Sequence, residues 1–368
     1  MATPVPILMM ARELNLGGTE RQLTEMAKVL DRSRFAPHVG CFRPAGLRAD
    51  ELRAAGVPIV QFHVPSMASV KGAFEIARYV RDQGIRLVHT FDTPANVYGV
   101  PAARIAGTAV VVSSQRVDRS LWPGAVRHAL RITDRLVDGV VVNCEYLRRQ
   151  LRDEEKVPDG LIHLCYNGID TGVFHARRGE RPAALRGASL VIGAVSALRP
   201  EKDLATLLEA FARVRNCVPG VQLAIVGSGP CLADLEERAG TLEIMPQCVF
   251  EPATPHVAEW LRAIDIFVLP SLSEALSNAL MEAMSCGCCG VASRVGGNPE
   301  LITHGETGML FEARDVAGLA ETLRSLLQDS ALRSALAARA EGKIQQQFTL
   351  AAAARRMGKI YAALLPEH

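Results

Sequence analysis

Two glutamates spaced by seven intervening residues, Glu274 and Glu282, give the sharpest chemical signal in the chain. They belong to the run Pro270-Ser271-Leu272-Ser273-Glu274-Ala275-Leu276-Ser277-Asn278-Ala279-Leu280-Met281-Glu282, which follows the apolar segment Ile264–Leu269. Read as strand, loop and helix, this run leaves Glu274 in the loop and Glu282 about one turn inside the helix. Backbone N–H groups at a helix start attract a phosphate. Each carboxylate can accept a pair of hydrogen bonds from vicinal hydroxyls. Together they suit a phosphorylated, polyhydroxylated ligand. A solvated carboxylate followed by a capping one fits the same spacing, and spacing alone does not choose.

Glycine pairs mark two more places. Gly17-Gly18-Thr19-Glu20 opens a helical pattern, and paired glycines there let backbone amides come close to a phosphate or sugar. Gly227-Ser228-Gly229 follows a strand, but Leu232 stands where a dinucleotide-binding fingerprint needs its third glycine, which argues against a dehydrogenase. Cys286, Cys288 and Cys289 cluster without a nearby His or CxxC partner, so packing is the better reading than metal. His89, Asp92 and Asn96 end or follow a front-half strand and are candidates for a second, acceptor-side site.

The elements that position these residues alternate. Strands are expected at Pro6–Met10, His38–Cys41, Ile59–Phe62, Leu87–His89, Ala109–Ser113, Gly139–Val142 and Ile162–Cys165. A second set follows at Leu190–Val195, Gln222–Val226, Cys248–Glu251, Ile264–Leu269 and Gly290–Ser293. Amphipathic stretches such as Glu20–Leu30, Gly72–Gln83, Ala125–Leu136, Asp203–Asn216, Cys231–Gly240, Val257–Ala263 and Asn278–Ser285 separate them. This is the pattern of parallel sheets with crossover helices, whose ligands sit beyond the carboxyl ends of the strands. The stretch Thr171–Ala188 breaks both periods and reads as a linker, so 368 residues divide into two Rossmann-like halves.

Composition narrows the class further. At 49% apolar and 22% charged, the chain can bury a large core, and no apolar run reaches the ~18 residues of a membrane span. Aromatics make up only 5% and interleave with no basic run, which disfavours nucleic acid. The start carries no basic segment before its apolar residues, and nine mostly isolated cysteines fit reduced thiols, so a cytoplasmic location is expected. The net charge of +2 hides an asymmetry: residues 1–185 carry 25 Lys and Arg against 19 Asp and Glu, the rest 16 against 20. A basic front half suits anionic partners. Arg127, Arg131 and Arg135 recur four residues apart, which offers contact with an anionic membrane or simply a solvated helix face. Trp122 beside Pro123 could stack on a sugar or anchor its own loop.

Glu274 to Glu282, followed by Ala283-Met284-Ser285-Cys286-Gly287 and Val295-Gly296-Gly297-Asn298-Pro299-Glu300, resembles the donor-site signature of glycosyltransferase family 4. Further segments match that family in order and spacing: Asn15-Leu16-Gly17-Gly18-Thr19-Glu20, Asn167-Gly168-Ile169-Asp170, Pro200-Glu201-Lys202, Gly227-Ser228-Gly229-Pro230 and His304-Gly305-Glu306-Thr307-Gly308. The resemblance implies a GT-B fold, two Rossmann-like domains facing across a cleft: 1–173 binding the acceptor, 174–345 binding a nucleotide-sugar, and a last segment, 346–368, whose helix returns to the first domain. It implies retaining, metal-independent hexosyl transfer from a nucleoside-diphosphate sugar to a saccharide or lipid-linked acceptor, in surface polysaccharide or glycolipid synthesis. No cofactor is implied. Lys202 and Glu274 would be catalytic, Lys202 by neutralising the diphosphate and Glu274 by contacting the donor sugar. Glu282 would hold the ribose, with Ala275, Leu276, Ser277, Asn278 and Gly227 lining the donor pocket. Gly17 and Gly18 would approach from the other domain.

The chain departs from the family in places. An arginine usual five residues before the lysine is Ala197, and Arg199 is the available substitute. Losing one charge-assisted hydrogen bond costs ~1.5–3 kcal/mol, which weakens a donor site without abolishing it. Gln115 replaces a common histidine on the acceptor side, with Arg116 adding charge beside it. These departures leave two alternatives: a degenerate donor-binding scaffold, or a nucleotide-sugar epimerase on a similar fold.

Overall fold

The computed structural model describes residues 3–15, 17–43, 46–64, 69–177 and 179–366. Leu16 of the N-terminal glycine segment and Arg178 of the expected linker lie outside these residues. The chain divides into two compact units, one of residues 3–168 with 350–366 and one of residues 169–349. The change of unit falls at Gly168 and Ile169, ahead of the composition break at Thr171, because Ile169 pairs with Thr349 at the far end of the second unit.

In the first unit the described chain runs β1 (Val5–Ala11), α1 (Gly18–Val29), β2 (Phe35–Cys41), α2 (Arg48–Ala54), β3 (Ile59–Gln61), α3 (Val70–Asp82), β4 (Leu87–Thr90), α4 (Thr93–Ile105), β5 (Val110–Gln115), α5 (Gly124–Thr133), β6 (Gly139–Val142), α6 (Glu145–Arg149) and β7 (Ile162–Leu164). All strands are parallel, in the order β3-β2-β1-β4-β5-β6-β7. β1 and β4 are buried almost throughout, as continuous apolar strands covered on both faces must be. β2 starts at Phe35, earlier than the sequence suggests, because Pro37 is tolerated there: β3 joins only from Val39, so Pro37 owes no N–H to that side.

The second unit continues with β8 (Leu190–Val195), α7 (Leu204–Val214), β9 (Val221–Val226), α8 (Leu232–Thr241), β10 (Cys248–Glu251), α9 (Val257–Ala263), β11 (Ile266–Leu269), α10 (Asn278–Ser285), β12 (Cys289–Ser293), α11 (Asn298–Leu301), β13 (Met309–Phe311), α12 (Val316–Gln328) and α13 (Ser330–Gln347). Its sheet is again parallel, in the order β10-β9-β8-β11-β12-β13. The three-residue β13 was not expected; it is too short for a periodic signal. The last helix, α14 (Leu350–Leu364), rejoins the first unit, where Tyr361 meets Phe35 edge-to-face at 5.7 Å. Two parallel Rossmann-like sheets and this returning helix make the expected GT-B fold.

Each sheet reverses its winding once. In the first unit β1 lies beside β4, and in the second β8 lies beside β11. The crevice beyond the carboxyl ends at such a reversal is where doubly wound sheets bind ligands. That places the loops after β8 and β11, which carry Lys202 and Glu274, side by side.

Candidate active site

In the second unit Lys202 Nζ lies 2.6 Å from Glu274 Oε1, although 72 positions separate them. Ser271 Oγ donates to the same carboxylate oxygen at 2.8 Å. The pair is shielded but reachable, with Lys202 and Glu274 side chains 21% and 10% exposed. Lys202 ends a short 3-10 turn, Pro200–Lys202, whose tightness is completed by Asp203 in the left-handed region at φ 46. Arg199 precedes this turn, exposed and without a partner among the described residues, and Ala197 is exposed as well.

Four loops at this end of the sheet interlock through their backbones. Leu272 N donates to Glu201 O at 2.8 Å, fixing the glutamate loop against the lysine turn. Leu198 N donates to Ser228 O at 3.0 Å, and Cys231 N donates to Leu198 O at 3.1 Å, tying in the loop after β9. Gly297 N donates to Ala275 O at 2.8 Å from the loop after β12. Two glycines permit this crowding. A Cβ at Gly227 would stand 1.8 Å from Ser196 O, and one at Gly296, where φ is +52, would stand 1.7 Å from Glu274 O. A buried polar chain supports the same loop: Asn298 Nδ2 donates to Ser293 O at 3.0 Å, and Ser293 Oγ donates to Ser271 O at 2.6 Å.

Ser277 caps α10 by accepting from Leu280 N at 3.3 Å, so the helix starts at the mouth of the sheet with its positive dipole end there. Ala275 and Leu276 form the approach to this cap, Asn278 is the first helical residue, and Glu282 lies buried on the helix. Lys202, Glu274, Gly227 and the 275–278 segment therefore gather in one unit. Asn298 lies in the family-like segment 295–300, whereas Ser271 and Ser293 carry no signal of this supporting role in sequence, since a serine at or just past a strand end looks like any other.

The first unit treats its candidates differently. His89 is completely enclosed: Nδ1 pairs with Tyr361 Oη at 2.6 Å and Nε2 with Ser114 Oγ at 2.8 Å. Burial, reinforced by the Arg116 charge, pushes its pKa well below the ordinary value and keeps it neutral. Asn96 accepts from Thr90 Oγ1 at 2.6 Å and donates to Ser114 O at 2.8 Å, also buried. Gln115 is buried, accepting from Arg119 Nε at 3.0 Å and donating to Val117 O, while Arg119 holds both oxygens of Asp134 at 2.7 and 2.8 Å. The polar groups of these three expected acceptor-side residues are satisfied within the first unit, as those of buried side chains must be.

Asp92 caps α4 through Ala95 N at 2.7 Å and accepts from Arg12 N at 2.6 Å, bridging the β1/β4 reversal. Burial raises its pKa against these bonds. Gly17 caps α1 and Gly18 begins it. Glu20 folds back over Gly17, its Oε2 lying 2.1 Å from where a Cβ would sit, so a side chain at position 17 would push the carboxylate aside; burial raises the Glu20 pKa too. The expected arginine stripe is also revised: α5 ends at Thr133, before Arg135, and Arg131 is spent on Glu155 at 2.6 Å. The buried Cys288 packs with Sγ 3.1 Å from Leu261 O, and among the described residues no group of three or more His, Cys, Asp or Glu is placed to hold a metal.

Comparison with known proteins decides the family. Residues 16–173 match the model described as Glycosyltransferase Family 4, and residues 189–329 match that described as Glycosyl transferases group 1. The chain has a GT-B fold and is related to the family 4 glycosyltransferases. An N-acetyl-alpha-D-glucosaminyl L-malate synthase of Bacillus anthracis is 31% identical over 194 residues, 52% of this chain and 51% of that one. A GDP-mannose-dependent phosphatidylinositol monomannoside mannosyltransferase of Mycolicibacterium smegmatis is 33% identical over 62% of this chain and 64% of its own length. The match thus spans about half of the first relative and under two thirds of the second. A UDP-Gal:alpha-D-GlcNAc-diphosphoundecaprenol galactosyltransferase of Escherichia coli is 24% identical over 86% of both chains. Among solved structures, Anabaena Alr3699/HepE in complex with UDP and glucose superposes with a TM-score of 0.86 at 20% identity, covering 98% of this chain and 100% of that chain.

Proposed function

We propose that this protein transfers a hexosyl group, with retention, from a nucleoside-diphosphate sugar to a saccharide or lipid-linked acceptor in surface polysaccharide or glycolipid synthesis. The observation that carries the reading is the Lys202–Glu274 contact of 2.6 Å at the β8/β11 reversal, braced by two neighbouring loops. The named activities of the relatives and the UDP and glucose bound to HepE support the same ligand class.

On this reading Lys202 supplies positive charge to the departing diphosphate, which is the chief catalytic effect. Glu274, held by Ser271, accepts from the hydroxyls of the donor sugar. Glu282 serves the ribose, and the 275–278 segment and Gly227 line the phosphate and sugar pocket. Arg199 stands three residues before Lys202 and makes up part of the charge absent at Ala197. The first unit takes the acceptor. Peripheral contact with an anionic membrane belongs to the same proposal, supported by exposed Leu121 and Ile132 alongside exposed Arg135. No described helix is long and apolar enough to cross a membrane.

A panel of nucleoside-diphosphate sugars tests the proposal by thermal shift and by nucleoside diphosphate release. One donor should stabilise the protein by mass action and be turned over. Failure of every donor to bind ends the reading. Binding without turnover favours a scaffold, and an isomerised donor favours an epimerase.

A further inference from the structure

Arg116 follows β5 at the carboxyl-end mouth of the first sheet and has no carboxylate partner among the described residues. Its Nη1 donates to Asn167 Oδ1 at 2.7 Å, and its guanidinium carbon lies 5.0 Å from the centroid of the Phe91 ring. Its Nε is enclosed with no hydrogen-bond partner. Other arginines of this unit are neutralised: Arg119 by Asp134, Arg104 by Asp138, Arg131 by Glu155 and Arg148 by Asp159.

The ionisable groups facing Arg116 cannot replace a carboxylate. His89 is held neutral from β4. Burial lifts the Cys165 thiol, beyond β7, to about 11, and raises the Tyr361 phenol of α14 further still. Burial lowers Arg116 itself to about 10, so it stays charged at neutral pH. A partly buried cation held by one neutral amide and one aromatic face is an expensive arrangement unless an anion completes it. A second cation, Arg356 of α14, lies 5.5 Å from the Tyr166 ring centroid, next in sequence to Asn167. The whole unit carries 25 Lys and Arg against 18 Asp and Glu over residues 1–168 and 350–368, a net +7.

We infer that Arg116 receives an oxyanion of the acceptor, a carboxylate or phosphate group, at the mouth of the first sheet. This rests on the proposal that the first unit takes the acceptor. With Nε enclosed and Nη1 bonded to Asn167, the remaining amino group is the donor left for such a group, and the planar guanidinium fixes its direction. The acceptors that fit are therefore acidic sugars, hydroxy acids or sugar phosphates rather than neutral glycans.

Inorganic phosphate and succinate serve as probe anions for the two sources, titrated at constant ionic strength against chloride. Wild-type protein, Arg116→Gln and Arg116→Lys are compared by calorimetry and thermal unfolding, with circular dichroism to verify folding. Wild type should bind at least one probe above the chloride control. Arg116→Gln should weaken that binding roughly 10-fold or more. Arg116→Lys should keep part of it as a point charge. Preference for phosphate or for succinate identifies the source. Identical responses of wild type and Arg116→Gln, or no response of wild type to either anion, overturn the inference. Nucleoside diphosphate binding, read separately, should be unchanged in all three; its absence from wild type would remove the donor reading alone.

Discussion

The two reversal points of this molecule occupy equivalent places in two similar sheets, yet they dispose of their polar side chains in opposite ways. At the β8/β11 reversal, backbone bonds join the loops, and glycine leaves room for it. The carboxylate of Glu274 and the ammonium of Lys202 remain partly exposed, each the other's partner until a ligand intervenes. At the β1/β4 reversal, side chains join the elements alongside backbone bonds such as that from Phe42 N to Arg12 O at 3.0 Å. His89, Asn96 and Gln115 are consumed in holding β4, β5 and α14 together, and Asp92 in holding β1 to α4. A site can be built from side chains only where the backbone has already settled the scaffold. The first unit pays for its scaffold in side chains and keeps Arg116 as its unneutralised charge at this mouth.

The strongest way to break this contrast is Lys202→Ala. Loss of charge stabilisation should lower kcat about 10²- to 10³-fold while leaving the unfolding midpoint nearly unchanged. A drop in stability comparable to a core mutation would show that Lys202 is scaffold after all.

Gly296→Ala comes next. At φ +52 and against Glu274 O, the new methyl group should displace the glutamate loop and cost about 2–3 kcal/mol, with transfer impaired as well. Gly305→Ala, at φ +76 with open space around it, isolates the backbone strain and should cost only about 1 kcal/mol. Equal losses in chemical denaturation would deny that Gly296 serves the contact.

His89 sharpens the other side. Its native pKa lies well below its unfolded value, so the unfolded state binds the extra proton as pH falls. Stability from this group is complete above about pH 6.5 and should decline by roughly 1.4 kcal/mol per pH unit below it. His89→Gln should be destabilised at pH 7 yet show a flatter acid slope in urea titrations from pH 7 to 5. An unchanged slope would place the acid sensitivity elsewhere.

Ser271→Ala should have the smallest effect. Removing its bond to Glu274 frees the carboxylate without unseating it, and kcat should fall about 2- to 10-fold with nucleoside diphosphate affinity retained. Weaker nucleoside diphosphate binding would instead make Ser271 a donor contact.

The fold was legible because its signals are local and periodic. Gly139–Val142, Leu190–Val195 and Cys248–Glu251 were placed to the residue, and Val257–Ala263 and Asn278–Ser285 as well. Where strand ends moved, as at Phe35, the reason was a neighbour's reach. The placing of Glu274 in a loop and Glu282 on the following helix was legible too, since such spacing survives in one dimension. The burial of His89 was not, because nothing near it in sequence announces Tyr361, 272 positions away, or Ser114 as partners.

Residue order and chemistry alone determined the alternation of strands and helices and which loops carry acids, bases and glycines, because hydrophobic periodicity and turn chemistry act over a few residues. Tertiary structure alone decided which of those polar groups stay available. Availability depends on whether a partner from a distant strand or helix has already satisfied the group, and burial makes that satisfaction obligatory. Lys202 was left with Glu274, Glu274 with Lys202 and Ser271, Arg116 with no carboxylate among the described residues, and His89 with nothing to spare.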